Sequence, residues 1–189
     1  MKVPRLVLLT DRTQLSAARG LVETVRVCAE AGLRQVVVRE HDLDQDTRHR
    51  LVIDLAAIDG LVVISSRRPE PAAAGIHLAA CQAAPDTGWF GRSCHTVEEV
   101  HRAAAEGAGY VTLSPFAATR SKPGYGPPVD LDAYADGYGV PVLALGGIGP
   151  GDAARALAAG AHGVAVMGAV MRAADPAAVV RGLLAEVGG

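Results

Sequence analysis

Eight apolar runs, each five or six residues long, punctuate this chain: LVLLT (6–10), QVVVRE (35–40), LVVIS (61–65), GIHLA (75–79), FGRSC (90–94), YVTLS (110–114), PVLAL (141–145) and GVAVM (163–167). They are largely continuous rather than alternating with polar residues, the pattern of strands covered on both faces. Between most of them lie Ala-rich segments with helical apolar spacing, such as LVETVRVCAEAG (21–32), VEEVHRAAAEG (97–107), GDAARALAAG (151–160) and DPAAVVRGLLAEV (175–187). Several end in a glycine just past the expected helix C-terminus. Strand and helix in alternation imply parallel pairing through right-handed crossovers. Eight such units in 189 residues predict one α/β domain over 1–189, a single small (β/α)8 (TIM) barrel. The chain is shorter than the usual barrel of roughly 250 residues, so its loops are short and at least one helix is vestigial. PEPAAA (69–74), between the third and fourth runs, is the place for that loss. A doubly wound open sheet is the second architecture that fits the pattern.

Half of the residues are apolar and 20% are charged, enough for one full core. The net charge of -2 and a pI near 6.3, with basic residues scattered rather than striped, give no footprint for nucleic acid. Cys28, Cys81 and Cys94 are odd in number and lack CxxC or CxxH spacing. That argues against a disulfide framework and a structural zinc site, and fits a reducing cytosol. No run approaches the roughly 18 apolar residues of a membrane span. The expectation is a soluble, cytoplasmic protein with no membrane partner.

VVVREHD (36–42) carries an apolar strand straight into four ionisable residues, Arg39, Glu40, His41 and Asp42. In a (β/α)8 barrel the active site is assembled at the C-terminal ends of the strands, so these residues face the mouth. Other strands end in the same way: Thr10-Asp11-Arg12, Ser65-Ser66-Arg67, Ser93-Cys94-His95, and Ser114 before a long polar loop. Residues 141–170 hold the sharpest local signal. Gly146 and Gly147 close one strand, and Met167-Gly168 close the next just before a helix start. Glycines let backbone N–H groups approach an anion, and paired on the last two strands they predict a phosphate cradle.

Six motifs in order carry a resemblance: LLTDR (8–12), VVVREHD, GIHL (75–78), GRSCHTVEEV (91–100), YVTLSPFAATRSK (110–122), and LALGGI (143–148) with GVAVMGAV (163–170). Together they resemble the family of thiamine phosphate synthase and the thiazole tautomerase TenI, over nearly the whole chain. The resemblance implies a barrel that binds a phosphorylated thiazole. In the synthase, that thiazole phosphate is joined to a hydroxymethylpyrimidine diphosphate, with magnesium on the diphosphate. Position by position, Arg39 matches the diphosphate arginine, Lys122 the lysine of the sixth motif, Ser93 the serine of the fifth, and Thr119 and Ser121 the loop hydroxyls. Gly146, Gly147, Met167 and Gly168 match the phosphate site, and the loop 117–128 reads as a lid.

The departures shape the expected activity. Where the synthase pattern has Asn-Asp after the third strand, this chain has Ser65-Ser66-Arg67-Arg68, and where it has Gly-Gln-x-Asp after the fourth, Ala79-Ala80-Cys81-Gln82. Magnesium recruits carboxylate oxygens, and both family carboxylates are missing. Ser65 and Arg67 are therefore read as substrate contacts, with no metal ligands and no cofactor; magnesium enters only if the synthase reading holds, with Asp11, Glu40, Asp42 and Asp86 as carboxylates that could serve. Keeping the phosphate cradle while losing the metal side resembles TenI, a metal-independent proton-transfer isomerase. Its catalytic histidine position aligns with Pro115, so the acid/base has moved. His41, which replaces a family lysine, leads the candidates, with His95 and Lys122 completing the catalytic set. His77 is read as a packed core histidine. The alternatives are the synthase itself, or a phosphate-binding barrel without chemistry. A homodimer is expected from related barrels.

Overall fold

All eight runs become strands: β1 Leu6–Leu9, β2 Gln35–Val38, β3 Val62–Ser66, β4 Gly75–Leu78, β5 Phe90–Cys94, β6 Tyr110–Leu113, β7 Val142–Leu145 and β8 Gly163–Val166. The computed structural model describes residues 1–16, 19–118, 127–135 and 137–188. Each strand is parallel to its neighbours, and β1 pairs with β8 through Leu6 opposite Val164 and Leu8 opposite Val166, which closes the barrel. Closure eliminates the open-sheet alternative.

Among the described residues, six helices cover the barrel: α1 Leu21–Glu30, α2 Gln45–Ala56, α3 Val97–Ala105, α4 Asp152–Ala158, α5 Gly168–Met171 and α6 Pro176–Val187. Residues 69–74 form no helix, as their composition predicts, and the connection from β4 to β5 also lacks one. Between β6 and β7 the described residues hold a single 3-10 turn, Leu131–Tyr134. The helix starts are capped from the sequence. Asp44 and Asp175 accept backbone N–H groups of Thr47 and Ala178, and Thr96 accepts that of Glu99. Gly107, at φ 82°, follows the end of α3 in the left-handed conformation that suits glycine. No helix among the described residues is long and apolar enough to cross a membrane.

Successive strand residues point to opposite sides, and both sides are buried. Leu6, Leu8, Val36, Val38 and Val63 pack outward against the helices, while Val7, Leu9, Val37, Ile64, Leu143 and Ala165 fill the interior. Burying an aliphatic side chain of this size contributes about 1.5–3 kcal/mol, which explains why the runs read as continuously apolar. At the N-terminal end of the interior, Trp89 stacks on Tyr110 with ring centroids 5.3 Å apart. Trp89 is half-buried and Phe90 buried, so this pair is core rather than an apolar surface patch.

A polar column rises from this plug toward the mouth. His77 bridges the Tyr110 hydroxyl, 2.8 Å from Nδ1, and the Ser93 hydroxyl, 2.9 Å from Nε2. Burial, reinforced by Arg39, Arg67 and Arg92, pushes the His77 pKa down to about 3, so the ring stays neutral. One of its nitrogens donates and the other accepts.

Two predictions follow from this interior. A Cβ at Gly91 would collide with the Tyr110 ring, so Gly91→Ala should lower stability by about 1–3 kcal/mol in urea unfolding. In the unfolded chain His77 takes up a proton near pH 6.5, whereas the native ring resists it down to about 3. Stability is therefore lost as pH falls through that window. His77→Gln should flatten the slope of unfolding free energy against pH between 6.5 and 4.

Candidate functional site

The strand ends enclose a cavity of about 630 Å³ at the C-terminal face of the barrel. Arg39, Arg67, Ser93, His95, Gly146, Gly147, Met167 and Gly168 line it, as do Ser66, His77, Ser114 and Arg172. Three expected residues, Thr119, Ser121 and Lys122, lie outside the described residues, as does most of the 117–128 loop.

Arg39 leaves the end of β2 with its N–H donating to Thr10 Oγ1 at 2.9 Å. Its guanidinium reaches across to β8, with Nη1 2.7 Å from Met167 Sδ. Burial lowers its pKa while Asp11 opposes that shift. The ion pair between Arg39 and Glu40 that adjacency suggests does not form. Glu40, 3% exposed, instead accepts from the Arg12 N–H at 3.2 Å and from Arg12 Nη1 at 3.0 Å. The same guanidinium clasps Asp42 at 2.7 and 2.6 Å, holding that carboxyl down to a pKa of about 2.

Two expected contacts stand elsewhere. His41 does not line the cavity: the chain has left the strand by then, and its Nε2 is buried without a partner. Burial, then the charges of Arg67 and Arg39, pulls its pKa down to about 4. Ser65 points the opposite way from Ser66, accepting from Arg48 Nη2 at 2.9 Å and donating to the Arg68 carbonyl at 2.5 Å. A shift of one residue along a strand exchanges cavity for outer packing.

His95 is held at the rim by α3, where Glu99 accepts its N–H at 2.6 Å. Its Nδ1 lies 3.2 Å from the Ser114 carbonyl and 3.1 Å from Ser114 Oγ. A proton on Nδ1 bonded to that carbonyl leaves Nε2 as the basic nitrogen. Opposite, Gly147 takes φ 70° with the Ala117 and Ala118 carbonyls 2.7 Å from where a Cβ would sit, so only glycine fits. A Cβ at Gly168 would run into the Arg172 guanidinium, which also bonds Gln14. The first N–H groups of α5 have no acceptor within their helix. Arg172 is absent from the motifs, yet its spacing four residues after Gly168 returns it to the same helical face.

A magnesium site does not fit these residues. Among the described residues no carboxylate lines the cavity, and no group of three His, Cys, Asp or Glu is arranged to hold a metal. Where the family pattern carries its carboxylates stand Ser65-Ser66-Arg67-Arg68 and Gln82, whose amide is committed to the Ala79 N–H and the Arg67 carbonyl.

Residues 72–170 match the family model described as thiamine monophosphate synthase. The chain is 32% identical to the thiamine-phosphate synthase of Roseiflexus castenholzii, over 93% of this chain and 84% of that one. It is 33% identical to the thiamine-phosphate synthase of Methanoculleus marisnigri, over 94% and 92% of the two chains. The thiamine phosphate pyrophosphorylase structure from Pyrococcus furiosus superposes with a TM-score of 0.83 at 23% identity, covering 97% and 95%. With the barrel, the ordered motifs and these matches in agreement, the chain belongs to the thiamine phosphate synthase/TenI family of thiamine biosynthesis.

Proposed function

We propose that this barrel binds a phosphorylated thiazole at its mouth and moves a proton on it without a divalent ion, as a thiazole tautomerase does. The observation that carries the reading is the charge of the lining: among the described residues Arg39, Arg67 and Arg172 are present and carboxylates are not. Guanidiniums and glycine amides suit an anionic ligand, while a magnesium diphosphate needs acids that this wall lacks. His95 is the acid/base of this mechanism, since it lines the cavity with its Nδ1 side held by Ser114. His41, neutral and outside the lining, no longer leads.

A second reading is thiamine phosphate synthesis itself, the coupling of a pyrimidine diphosphate to a thiazole phosphate. It is favoured by the names of relatives matched over most of their length. In that case Arg39 and Arg67 face the diphosphate.

One assay separates the two. Purified protein is given the thiazole carboxylate phosphate tautomer, or the synthase substrate pair, each with magnesium and with a chelator. The tautomerase reading expects isomerisation at the same rate in both, reduced about 10²–10⁴-fold by His95→Asn. Coupling of the pair that the chelator abolishes would replace it with the synthase reading.

A further inference from the structure

Arg67 is the one described residue other than glycine with a positive φ, at 63°. An L side chain in that region crowds its own backbone, and the surroundings must hold it there. They do so at both ends of the residue. The Arg67 N–H donates to the His77 carbonyl at 2.8 Å, and its carbonyl accepts from Gln82 Nε2 at 2.9 Å. Gln82 is pinned in turn, its Oε1 accepting the Ala79 N–H at 2.8 Å and its carbonyl accepting from Arg92. Arg92 is 1% exposed and ion-paired with Glu106 at 2.6 Å. A line from α3 through Arg92 and Gln82 therefore fixes the Arg67 backbone.

The turn parts two consecutive arginines. Arg68 swings outward and donates to the carbonyls of His41 and Leu43. Arg67 lines the cavity, and among the described residues no carboxylate forms an ion pair with it. Glycine at 67 would adopt the same backbone without strain. What the arginine adds, against that strain, is a guanidinium in the mouth.

We propose that Arg67 is a specificity-determining residue that receives a second anionic group of the ligand, a carboxylate or a diphosphate, and that Gln82 is the positioning residue that holds it. The proposal rests on reading the cavity as a site for a phosphorylated ligand. One edge of a guanidinium presents two N–H groups, which match paired oxygens on either anion. A fixed cation also supplies, without carboxylate ligands, charge that a bound ion would otherwise bring.

Isothermal titration of the full chain in chelator tests this with three probes: thiazole phosphate, the same compound with a ring carboxylate, and inorganic diphosphate. Variants are Arg67→Gly, Gln82→Leu and the double variant, each with a melting curve. Arg67→Gly should raise Tm by about 2–4 °C while weakening a probe bearing the second anion about tenfold or more. Thiazole phosphate should stay within about twofold. Gln82→Leu should weaken the same probe by a smaller factor, and the double variant should be no weaker than Arg67→Gly, because the glutamine acts through the arginine. Loss confined to the carboxylate compound or to diphosphate supports the proposal and identifies the anion. Equal weakening of thiazole phosphate and its carboxylate, or no weakening at all, overturns it. Binding of diphosphate alone, sensitive to Arg67, would sink the thiazole reading and leave the anion subsite standing. Failure of every probe to bind the unsubstituted chain would overturn both.

Discussion

The ion cluster at the end of β2 decides what kind of mouth this barrel has. Glu40 is 3% exposed, and a carboxyl group that deep is costly to bury unless its oxygens are matched. Arg12 matches them with its backbone N–H and its guanidinium, and turns the outer edge of the same guanidinium onto Asp42. One arginine thus engages both acids that follow β2 and ties the first two strand ends together. Asp11, the neighbouring acid, is occupied by Thr13 and Gln14. What remains directed at a ligand is positive.

Arginines also fasten the loops around the mouth, one of them where a helix is lacking. Where the β4–β5 connection lacks a helix, Arg92 binds the carbonyls of Ala79, Ala80 and Gln82 and anchors to Glu106. Between β2 and β3, buried Arg48 gathers the Val38 and Ser66 carbonyls with the Ser65 hydroxyl. Arg68 does the same for the β2–α2 loop through His41 and Leu43. Each supplies several donors to carbonyls that would otherwise be stranded in partly buried loops, where an unmade bond costs about 1–3 kcal/mol. Small size and short loops are reconciled in this way. The same fixings hold the loops that carry the cavity lining.

The barrel was legible because burial on both faces of a strand forces an unbroken apolar run, and because Ala-rich helical spacing ends in recognisable glycine signals. The missing helix at 69–74 was readable from its prolines; the one after β4 was not, since nothing in CQAAPDTG announces that Arg92 will replace it. At the mouth, residues that close strands in phase with the interior were found, Arg39, Ser93, His95 and the glycines, and Arg67 too, although it reaches the cavity through its left-handed turn rather than by phase. Ser65 failed by one residue of phase, and His41 because Glu40 is drawn to Arg12 as the chain turns away. Arg172 was missed for the opposite reason, because it sits a helical turn beyond its motif. Spacing four residues after Gly168 was the available signal.

Gathering guanidiniums at the mouth has an energetic consequence. Arg67 works against the charge on Arg39 and, with Arg39, against protonation of His41 and His77. Asp11 and Glu40 counter that charge at Arg39, while the repulsion between the two guanidiniums remains as a cost within the mouth. An anion entering the cavity relieves that repulsion as well as forming its own hydrogen bonds. Because the relief exists only in the folded barrel, ligand binding and fold stability are coupled. The neutral His77 takes part as well: a proton added to its ring would meet Arg39 and Arg67 and disturb the bridge to Tyr110 and Ser93, so burial and the arginines together keep the floor of the cavity an uncharged hydrogen-bonding group.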